Sequence, residues 1–275
     1  MANINLQMYS FMDGTMNDTR ENLKAAAEMG YDGVELFGPN LEISAAEMKA
    51  LLAENGLTAV SLHAPTEQIL NLISYAEQLG MNFIGIAMET MLNDEAVYAF
   101  AEKLNQLGKS CNERGIMLTY HNHTQEFGSC GEKTIIGVLM DQTNPEYVSF
   151  ELDAGWCAAA GFDPIAFIKQ YSGRVKLVHI KESGEVLGIQ PFMDFDAIEM
   201  DENGFPKFTP EMLAQMDRAK KINCAAGAGL VDWKKLKETA DAHGCRAYIV
   251  EREHSYAGSR LECLKADIDY YKTVM

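Results

Sequence analysis

The chain has 275 residues, of which 47% are hydrophobic and 23% charged, so it contains enough apolar material to bury a large core without disulfide bridges. Its 23 Lys and Arg against 40 Asp and Glu give a net charge of −17, which repels nucleic acid and anionic lipid. We therefore expect a globular protein that binds neither nucleic acid nor membranes.

The start of the chain, MANINLQMYS, has no basic stretch followed by an apolar one. No window reaches the ~18 consecutive apolar residues of a membrane span. The six cysteines are scattered without a C-x-x-C pair, which is typical of reduced thiols. Together these features predict a cytoplasmic location.

Eight short apolar runs alternate with helical segments along the chain. Six of the runs follow a glycine that suits the left-handed end of a helix. In order, the runs are NINLQMY, VELF, LTAVSLHA, MNFIGIAM, IMLTYH, YVSFELD, RVKLVHI and CRAYIV. A strand and a helix repeated eight times over this length predict a (β/α)8 barrel, the TIM barrel.

The main alternative fold is a doubly wound open sheet, because alternation alone does not decide whether a sheet closes. No G-x-G-x-x-G opens a helix after the first strand, and no Walker A sequence is present, so a nucleotide-binding version has little support. No linker divides the chain, and we expect residues 1–275 to form a single domain. The stretch from Ser183 to Gly229 is too long for a bare connection and predicts a flap after strand seven, with its own helix, TPEMLAQMDRAKK.

Each of the last four predicted strands ends in two polar residues spaced two positions apart. The pairs are His121 and His123, Glu151 and Asp153, His179 and Lys181, and Glu251 and Glu253. This spacing puts both side chains of a pair on one face of the strand. Because the carboxyl ends of barrel strands surround one mouth, we expect these side chains to converge there. Glu35 and His63, at the ends of earlier strands, would line the same mouth.

So many carboxylates in one buried place are costly unless a cation lies among them, and a divalent metal ion is the simplest such cation. Mixed histidine and carboxylate ligation suits Mn²⁺, which we favour, and also Co²⁺, Zn²⁺ or Fe²⁺, while the carboxylates keep Mg²⁺ compatible. The sequence therefore predicts a divalent metal site at the mouth of the barrel.

Seven motifs follow one another over roughly residues 30 to 255. They are GVELF, SLHAP, YHNHTQEF, ELDAGW, VHIKE, GAGLVDW and IVERE. In this order they resemble the xylose-isomerase-like sugar phosphate isomerase/epimerase superfamily, whose fold is the TIM barrel. Its members include ketose 3-epimerases, hydroxypyruvate isomerase, inosose dehydratase and isomerase, dehydroshikimate dehydratase and apurinic-site endonucleases.

The resemblance implies one metal ion held by four groups from strands five to eight, usually Glu, Asp, His and Glu. Asp153, His179 and Glu251 match the last three positions, and His121 stands in the first. His121 is therefore either a metal ligand or a hydrogen-bonding residue of the wall. In the related epimerases the two Glu residues exchange the substrate proton, so with His121 present a symmetric two-carboxylate mechanism does not follow.

The resemblance also suggests roles for the remaining polar residues. His123 matches a histidine that contacts substrate in several relatives, and Trp156 stands where some relatives carry another histidine and offers a stacking surface. We predict catalytic roles for Glu251, His121, His123 and Lys181. Lys181 either binds an anionic substrate oxygen or neutralises Glu151 or Glu253. The predicted substrate-binding residues are His63, Glu35, Trp156 and Glu253.

These features predict a divalent-metal-dependent isomerase or epimerase that acts on a sugar, keto-sugar or polyol through an enediolate. A lyase or dehydratase of a keto-sugar or inosose is the alternative, because the same enediolate can expel a leaving group, and His in place of Glu favours it. A non-catalytic sugar-binding barrel is a third hypothesis. A DNA-repair endonuclease would need more metal-binding histidines than the six present and a basic face. The expected partner is a small sugar or keto-sugar, and a homo-oligomer is compatible with the sequence.

Overall fold

The computed structural model describes residues 3–12, 18–194, 198–199 and 207–275. Eight parallel strands form a closed barrel in which each strand pairs with the next along the chain and the last pairs with the first. They are β1 (Ile4–Gln7), β2 (Gly33–Phe37), β3 (Thr58–Ala64), β4 (Phe83–Ile86), β5 (Met117–His121), β6 (Val148–Asp153), β7 (Val175–Ile180) and β8 (Ala247–Val250). The predicted TIM barrel is confirmed, and the open sheet is excluded.

Ten α-helices lie in the described ranges. They are α1 (Thr19–Met29), α2 (Ala45–Asn55), α3 (Ile69–Leu79), α4 (Asp94–Asn112), α5 (Ile135–Gln142), α6 (Ala154–Ala159), α7 (Pro164–Gln170), α8 (Pro210–Lys221), α9 (Trp233–Ala242) and α10 (Arg260–Val274). The six glycines that precede predicted strands all have positive φ, between 67° and 102°. A side chain larger than hydrogen is strained there, which explains why glycine ends these segments. None of the described helices is long and apolar enough to cross a bilayer.

The connection between β7 and α9 contains α8, which coincides with the predicted helix TPEMLAQMDRAKK. The side chain of Thr209 caps this helix by accepting a hydrogen bond from the backbone N–H of Met212 at 3.2 Å. Residues 195–197 and 200–206 of the predicted flap fall outside the described residues. The flap from Ser183 to Gly229, and the single-domain extent of residues 1–275, therefore stay predictions.

The interior of the barrel changes from apolar to polar along its axis. Leu177 of β7 and Ile249 of β8 belong to an apolar cluster with Phe83, Ala247, Val60 and Met117. Two residues further along the chain from Leu177 and Ile249 come His179, on β7, and Glu251, directly after β8, whose side chains face the same way. The apolar cluster therefore forms a floor beneath the polar residues.

Candidate active site

His179 lies at the centre of a buried polar cluster at the carboxyl end of the barrel. Its Nε2 is 2.8 Å from Oε1 of Glu35 and 3.4 Å from Oε1 of Glu151, while its Nδ1 is 3.4 Å from Oε2 of Glu251. Burial alone would lower the pKa of the His179 imidazole, but the carboxylates of Glu151 and Glu35 raise it well above its ordinary value. His179 therefore connects a lower half of the cluster, with Glu35 and Glu151, to an upper half with Glu251.

The lower half of the cluster is a network of hydrogen bonds. Gln7 donates from Nε2 to Oε1 of Glu35 at 2.6 Å, and Nε2 of His63 is in hydrogen-bond contact with Oε2 of Glu151. Burial raises the pKa of the Glu35 carboxyl, and the charge of Glu151 raises it further. Burial would also raise the pKa of Glu151, but the charges of His179 and His63 hold it well below its ordinary range. The charge of the lower half is thus balanced between carboxylates and imidazoles.

The upper half brings together His121, Asp153, His179 and Glu251, whose ligand atoms all lie within 4.8 Å of one another. These are the four residues that the resemblance implies as metal ligands. Oδ1 of Asp153 accepts a hydrogen bond from the backbone N–H of Trp156 at 2.7 Å. Oδ2 of Asp153 and Nδ1 of His121 are buried without a hydrogen-bond partner among the described residues. Unpartnered buried acceptors are costly, and a bound cation would satisfy both atoms.

The raised pKa of Asp153 also indicates a place for a cation. Burial raises the pKa of its carboxyl to about 7, although the charges of Lys181 and His179 oppose the rise. Two imidazoles and two carboxylates are a donor set that suits Mn²⁺, Co²⁺ or Zn²⁺. The residues of the upper half therefore fit a divalent metal ion.

A second set of ligand atoms within 4.8 Å consists of His63, His121, Glu151 and His179. The two sets share His121 and His179. In this second set, His63 already bonds to Glu151, and Nε2 of His179 lies against Glu35. Counted over the residues that the structure describes, each set has two unpartnered ligand atoms, Nδ1 of the shared His121 with Oδ2 of Asp153 in the first set and with Oε1 of Glu151 in the second. The first set is the one that adjoins the cavity through both His121 and Glu251.

Lys181 lies between carboxylates at the top of the cluster. Its Nζ is 2.8 Å from Oε1 of Glu253, 3.5 Å from Oε2 of Glu251 and 4.9 Å from the centre of the Trp156 ring. Burial alone would lower the pKa of Lys181, but Glu251 and Glu253 raise it, so the side chain is a cation. The sequence predicts two roles for Lys181, binding an anionic substrate oxygen or neutralising Glu151 or Glu253. Its contact with Glu253 fits the neutralisation of that carboxylate. No ion pair joins Lys181 to Glu151 within the described part of the chain.

Gly155, in the motif ELDAGW, allows α6 to approach β7 closely. A Cβ atom at this position would overlap the backbone carbonyl of Lys181. The close approach places Trp156, which is 7% exposed, against the ammonium of Lys181. Trp156 therefore lies beside Lys181 rather than on the wall of the main cavity.

A cavity of about 590 Å³ opens over the upper half of the cluster. Its polar lining comes from six residues, Gln7, His63, His121, His123, Glu251 and Glu253. The ring of His123 is half-buried and lies 5.0 Å from that of His121. Two of the predicted substrate-binding residues, His63 and Glu253, thus line the cavity. A third, Glu35, is fully buried and is not part of the lining.

Another cavity, of about 620 Å³, opens at the amino end of the barrel and is lined by residues such as Asn5, Thr58 and Arg246. It contacts none of the polar cluster. In TIM barrels the reacting groups lie at the carboxyl ends of the strands, so the cavity over the cluster is the candidate active site.

Sequence reasoning missed several residues of this region. Gln7 pairs in register with Glu35, so an alignment of strand ends could have placed it. Tyr9, Phe37 and Met88 line the cavity, but single apolar residues at or just after the end of a strand carry no distinctive signal.

Glu182 was also missed, although it follows Lys181 directly in the chain. Its carboxylate accepts hydrogen bonds from the backbone N–H of Gly227 at 2.6 Å and of Gly229 at 3.1 Å, and from Nε1 of Trp233 at 2.7 Å. The hydroxyl of Tyr271 donates to the same carboxylate at 2.9 Å. Glu182 therefore fixes the GAGLVDW segment next to the active site.

Comparisons with known proteins agree with this fold. A family model described as a xylose isomerase-like TIM barrel matches residues 23–274. The inosose dehydratase of Bacillus cereus strain AH820 is 24% identical over 219 residues, covering 70% of this chain and 72% of that protein. Other inosose dehydratases align over about a third of their own length. The chain belongs to the family of xylose isomerase-like TIM barrels, as the motifs predicted.

Solved structures show the same architecture. A sugar phosphate isomerase/epimerase from Parabacteroides distasonis ATCC 8503 superposes with a TM-score of 0.75 at 20% identity, covering 97% of this chain and 96% of that one. A 3-keto-D-glucoside 4-epimerase from E. coli gives a TM-score of 0.68 at 15% identity, covering 99% of this chain and 100% of that one. At these identities the likeness establishes the fold.

Proposed function

We propose that the protein is a divalent-metal-dependent enzyme that removes a proton from the carbon next to the carbonyl of a keto-sugar or keto-polyol. The observation that carries this proposal is the upper half of the cluster, where ionised Glu251 adjoins the unpartnered atoms of Asp153 and His121 under an open cavity. Inosose dehydratases among the sequence relatives support the choice of substrate class.

In the proposal, His121, Asp153, His179 and Glu251 hold the metal ion, and Mn²⁺ is the favoured ion. A bound divalent ion polarises a carbonyl and stabilises the negative charge that develops on its oxygen when the neighbouring carbon loses a proton. A side chain of the protein removes the proton.

Glu251 is the proposed base. Burial alone would raise the pKa of its carboxyl, but the ammonium of Lys181 and the hydrogen bond with His179 hold it well below its ordinary value. Glu251 is therefore ionised at neutral pH and can accept a proton from a substrate in the cavity that it lines. Lys181, a cation beside it, opposes the build-up of negative charge as the substrate loses its proton.

The groups on the two sides of the cavity differ in character, and this difference favours loss of water as the outcome. On the β5 side, burial and the charge of His179 hold the pKa of His121 well below its ordinary value, so its ring is neutral. A neutral imidazole facing a carboxylate is not the matched pair that exchange of one proton between two faces requires. In a dehydration, Glu251 takes the proton from carbon, and the electron pair of the broken C–H bond forms the new double bond. The hydroxyl on the next carbon then leaves with the proton that Glu251 has taken, as water, which returns Glu251 to its carboxylate.

An isomerase or epimerase is the second candidate. It is favoured by His121 and His123, which both line the cavity and could return a proton to a different face or a neighbouring carbon. The two outcomes share the first step and differ in the product.

The test is to incubate the Mn²⁺-loaded protein with inososes and keto-sugars in deuterated water and to follow products by NMR. We expect a product that has lost water, with a primary isotope effect when the carbon next to the carbonyl is deuterated. An epimer or isomer would instead support the second candidate. Turnover with neither deuterium exchange nor an isotope effect would contradict proton abstraction. Protein that retains less than about a tenth of an equivalent of metal, even after Mn²⁺ or Co²⁺ is added, would support a non-catalytic barrel.

A further inference from the structure

Apart from Gln7 and His63, the wall of the active-site cavity contributed by β1 to β4 is apolar, unlike the wall contributed by β5 to β8. Its apolar part consists of Tyr9, Phe37, Gly38, Ala64, Pro65, Ala87 and Met88. The rings of Tyr9 and Phe37 meet edge to face with their centroids 5.4 Å apart. Tyr9 is 43% and Met88 42% exposed. Large apolar side chains grouped at a cavity mouth are a common sign of a binding surface.

Tyr9 is held in place rather than carried on a free loop. It lies in the short 3-10 helix that begins directly after β1, and its backbone N–H donates to Oε1 of Gln7 at 3.0 Å. Gln7 in turn donates to Glu35 in the lower half of the cluster. The backbone at Tyr9 is therefore held by the same network that supports His179, and the ring packs against Phe37. A side chain that is already ordered loses little entropy when it binds a ligand.

The cavity is larger than one sugar ring. A six-carbon sugar fills roughly 200 Å³ at the packing density of protein interiors, whereas the cavity measures about 590 Å³. A ring placed over the upper half of the cluster leaves room for a second group against the apolar wall.

The charge of the cavity argues against a phosphorylated substrate. No Lys or Arg belongs to its lining among the described residues, which instead includes Glu251 and Glu253. The nearby cation Lys181 is paired with both of these carboxylates. The parts of the chain outside the described residues contain no Lys or Arg. Phosphate sites are built from such cations or from backbone N–H groups at helix starts.

We propose that Tyr9, Phe37 and Met88 form an outer subsite that binds the uncharged, flat aglycone of a glycoside, so that the substrate is a glycoside of a keto-sugar and not a sugar phosphate. The inference rests on the proposed function, because it assumes that the sugar ring lies over the upper half of the cluster. Aromatic rings provide large contact areas for such a group at low entropic cost.

Calorimetric titration of the Mn²⁺-loaded protein with three probes tests the subsite. The probes are 4-nitrophenyl β-glucopyranoside, methyl β-glucopyranoside and glucose 6-phosphate. We expect the aryl glycoside to bind about ten-fold more tightly than the methyl glycoside, since burying one ring contributes that much. Glucose 6-phosphate should bind no more tightly than the methyl glycoside.

Substitutions at Tyr9 and Phe37 test whether these two rings cause the preference for the aryl glycoside. Tyr9→Ala and Phe37→Ala should each reduce the ratio of the two glycoside affinities to less than about three-fold, and Tyr9→Phe should retain it because the ring remains. Tyr98→Ala is the matched control, since Tyr98 is a 51% exposed tyrosine on α4 outside the cavity lining. The proposal is overturned by equal affinities for the two glycosides, by absence of aryl glycoside binding, or by an aryl preference that persists in both alanine variants. Tighter binding of glucose 6-phosphate than of either glycoside also overturns it.

The titrations, taken together with the NMR incubation in deuterated water, separate this proposal from the proposed function. Aryl preference without proton exchange on any keto-sugar would leave the subsite standing and refute the enzymatic step. Proton exchange on a free keto-sugar without a preference for the aryl glycoside would support the enzymatic step and refute the subsite.

Discussion

Nε2 of His179 lies 2.8 Å from Oε1 of Glu35, and neither side chain has any exposed surface. Because Glu35 occupies Nε2, the other ring nitrogen, Nδ1, faces Glu251 and the upper half of the cluster. A carboxylate behind a metal-binding histidine fixes the orientation of its ring and increases its basicity. Glu35 is thus a positioning residue for His179 in the proposed metal site.

Glu35→Gln should weaken Mn²⁺ binding about 10- to 100-fold, the usual cost of losing such a partner. The amide keeps the size of the side chain but removes the charge that holds His179. Mn²⁺ affinity, measured by titration, is the readout, with the melting temperature recorded in parallel. Glu54→Gln, on the exposed surface of α2, is the matched control. Wild-type Mn²⁺ affinity in Glu35→Gln would contradict the positioning role.

Asp153→Asn should abolish Mn²⁺ binding and activity while the protein remains folded. Asp153 also caps α6 through the backbone N–H of Trp156, and an asparagine oxygen can accept the same hydrogen bond. Asp153→Ala loses the cap as well and should cost about 1 kcal/mol more in unfolding free energy. Metal analysis together with thermal unfolding checks both variants. Retention of one equivalent of metal by Asp153→Asn would mean that the ion binds elsewhere, the lower half of the cluster being the next place to examine.

The stability of the metal-free protein should depend on pH through Asp153. Burial raises the pKa of this carboxyl from 3.8 to about 7 in the folded protein, so between these values the folded state binds a proton that the unfolded chain has lost. The contribution of Asp153 to the free energy of unfolding is therefore largest below about pH 4. It falls by up to about 4 kcal/mol as the pH rises to about 7. Above pH 7 the effect levels off.

The comparison that isolates Asp153 is the difference in unfolding free energy between Asp153→Asn and wild type, both in EDTA. This difference should grow in favour of the variant from pH 4 to pH 7. With saturating Mn²⁺ at pH 8 the order should reverse, because only wild type gains the stabilisation of binding. A difference that does not vary with pH would show that the carboxyl ionises normally.

Lys181→Gln should lower kcat at least about 100-fold without weakening Mn²⁺ binding. Removing the ammonium removes the charge that lowers the pKa of Glu251, so the acidic limb of the kcat/KM profile should move to higher pH. Glu251→Gln, by contrast, should lower both activity and Mn²⁺ affinity. Equal loss of metal by the two variants would indicate that Lys181 supports the fold of the site and has no separate role in the reaction.

The barrel and the polar cluster were predictable because they depend on local patterns. Glycines with positive φ separate the apolar runs. The two-residue spacing of pairs such as His179 and Lys181 predicts that both side chains lie on one face of the strand. The contact between Glu35 and His179 was not predictable in this way. It joins residues 144 positions apart on β2 and β7, and depends on how the closed barrel staggers its strands.

Trp156 shows a second reason for a difference between sequence and structure. Its position in the motif predicts a stacking surface for substrate. The structure places its ring against Lys181, because Gly155 lets α6 pack on the backbone of β7. Close backbone approaches of this kind depend on tertiary packing, which a strand pattern does not encode.

The two sides of the cavity are built from different halves of the barrel: the candidate ion ligands follow β5 to β8, and the apolar wall follows β1 to β4. Exchanging Phe37 or Met88 for other side chains would change the shape offered to incoming molecules without touching any of those ligands. With such a division, the specificity of the proposed site could change by substitution on one side while its proposed ion ligands on the other side stay the same.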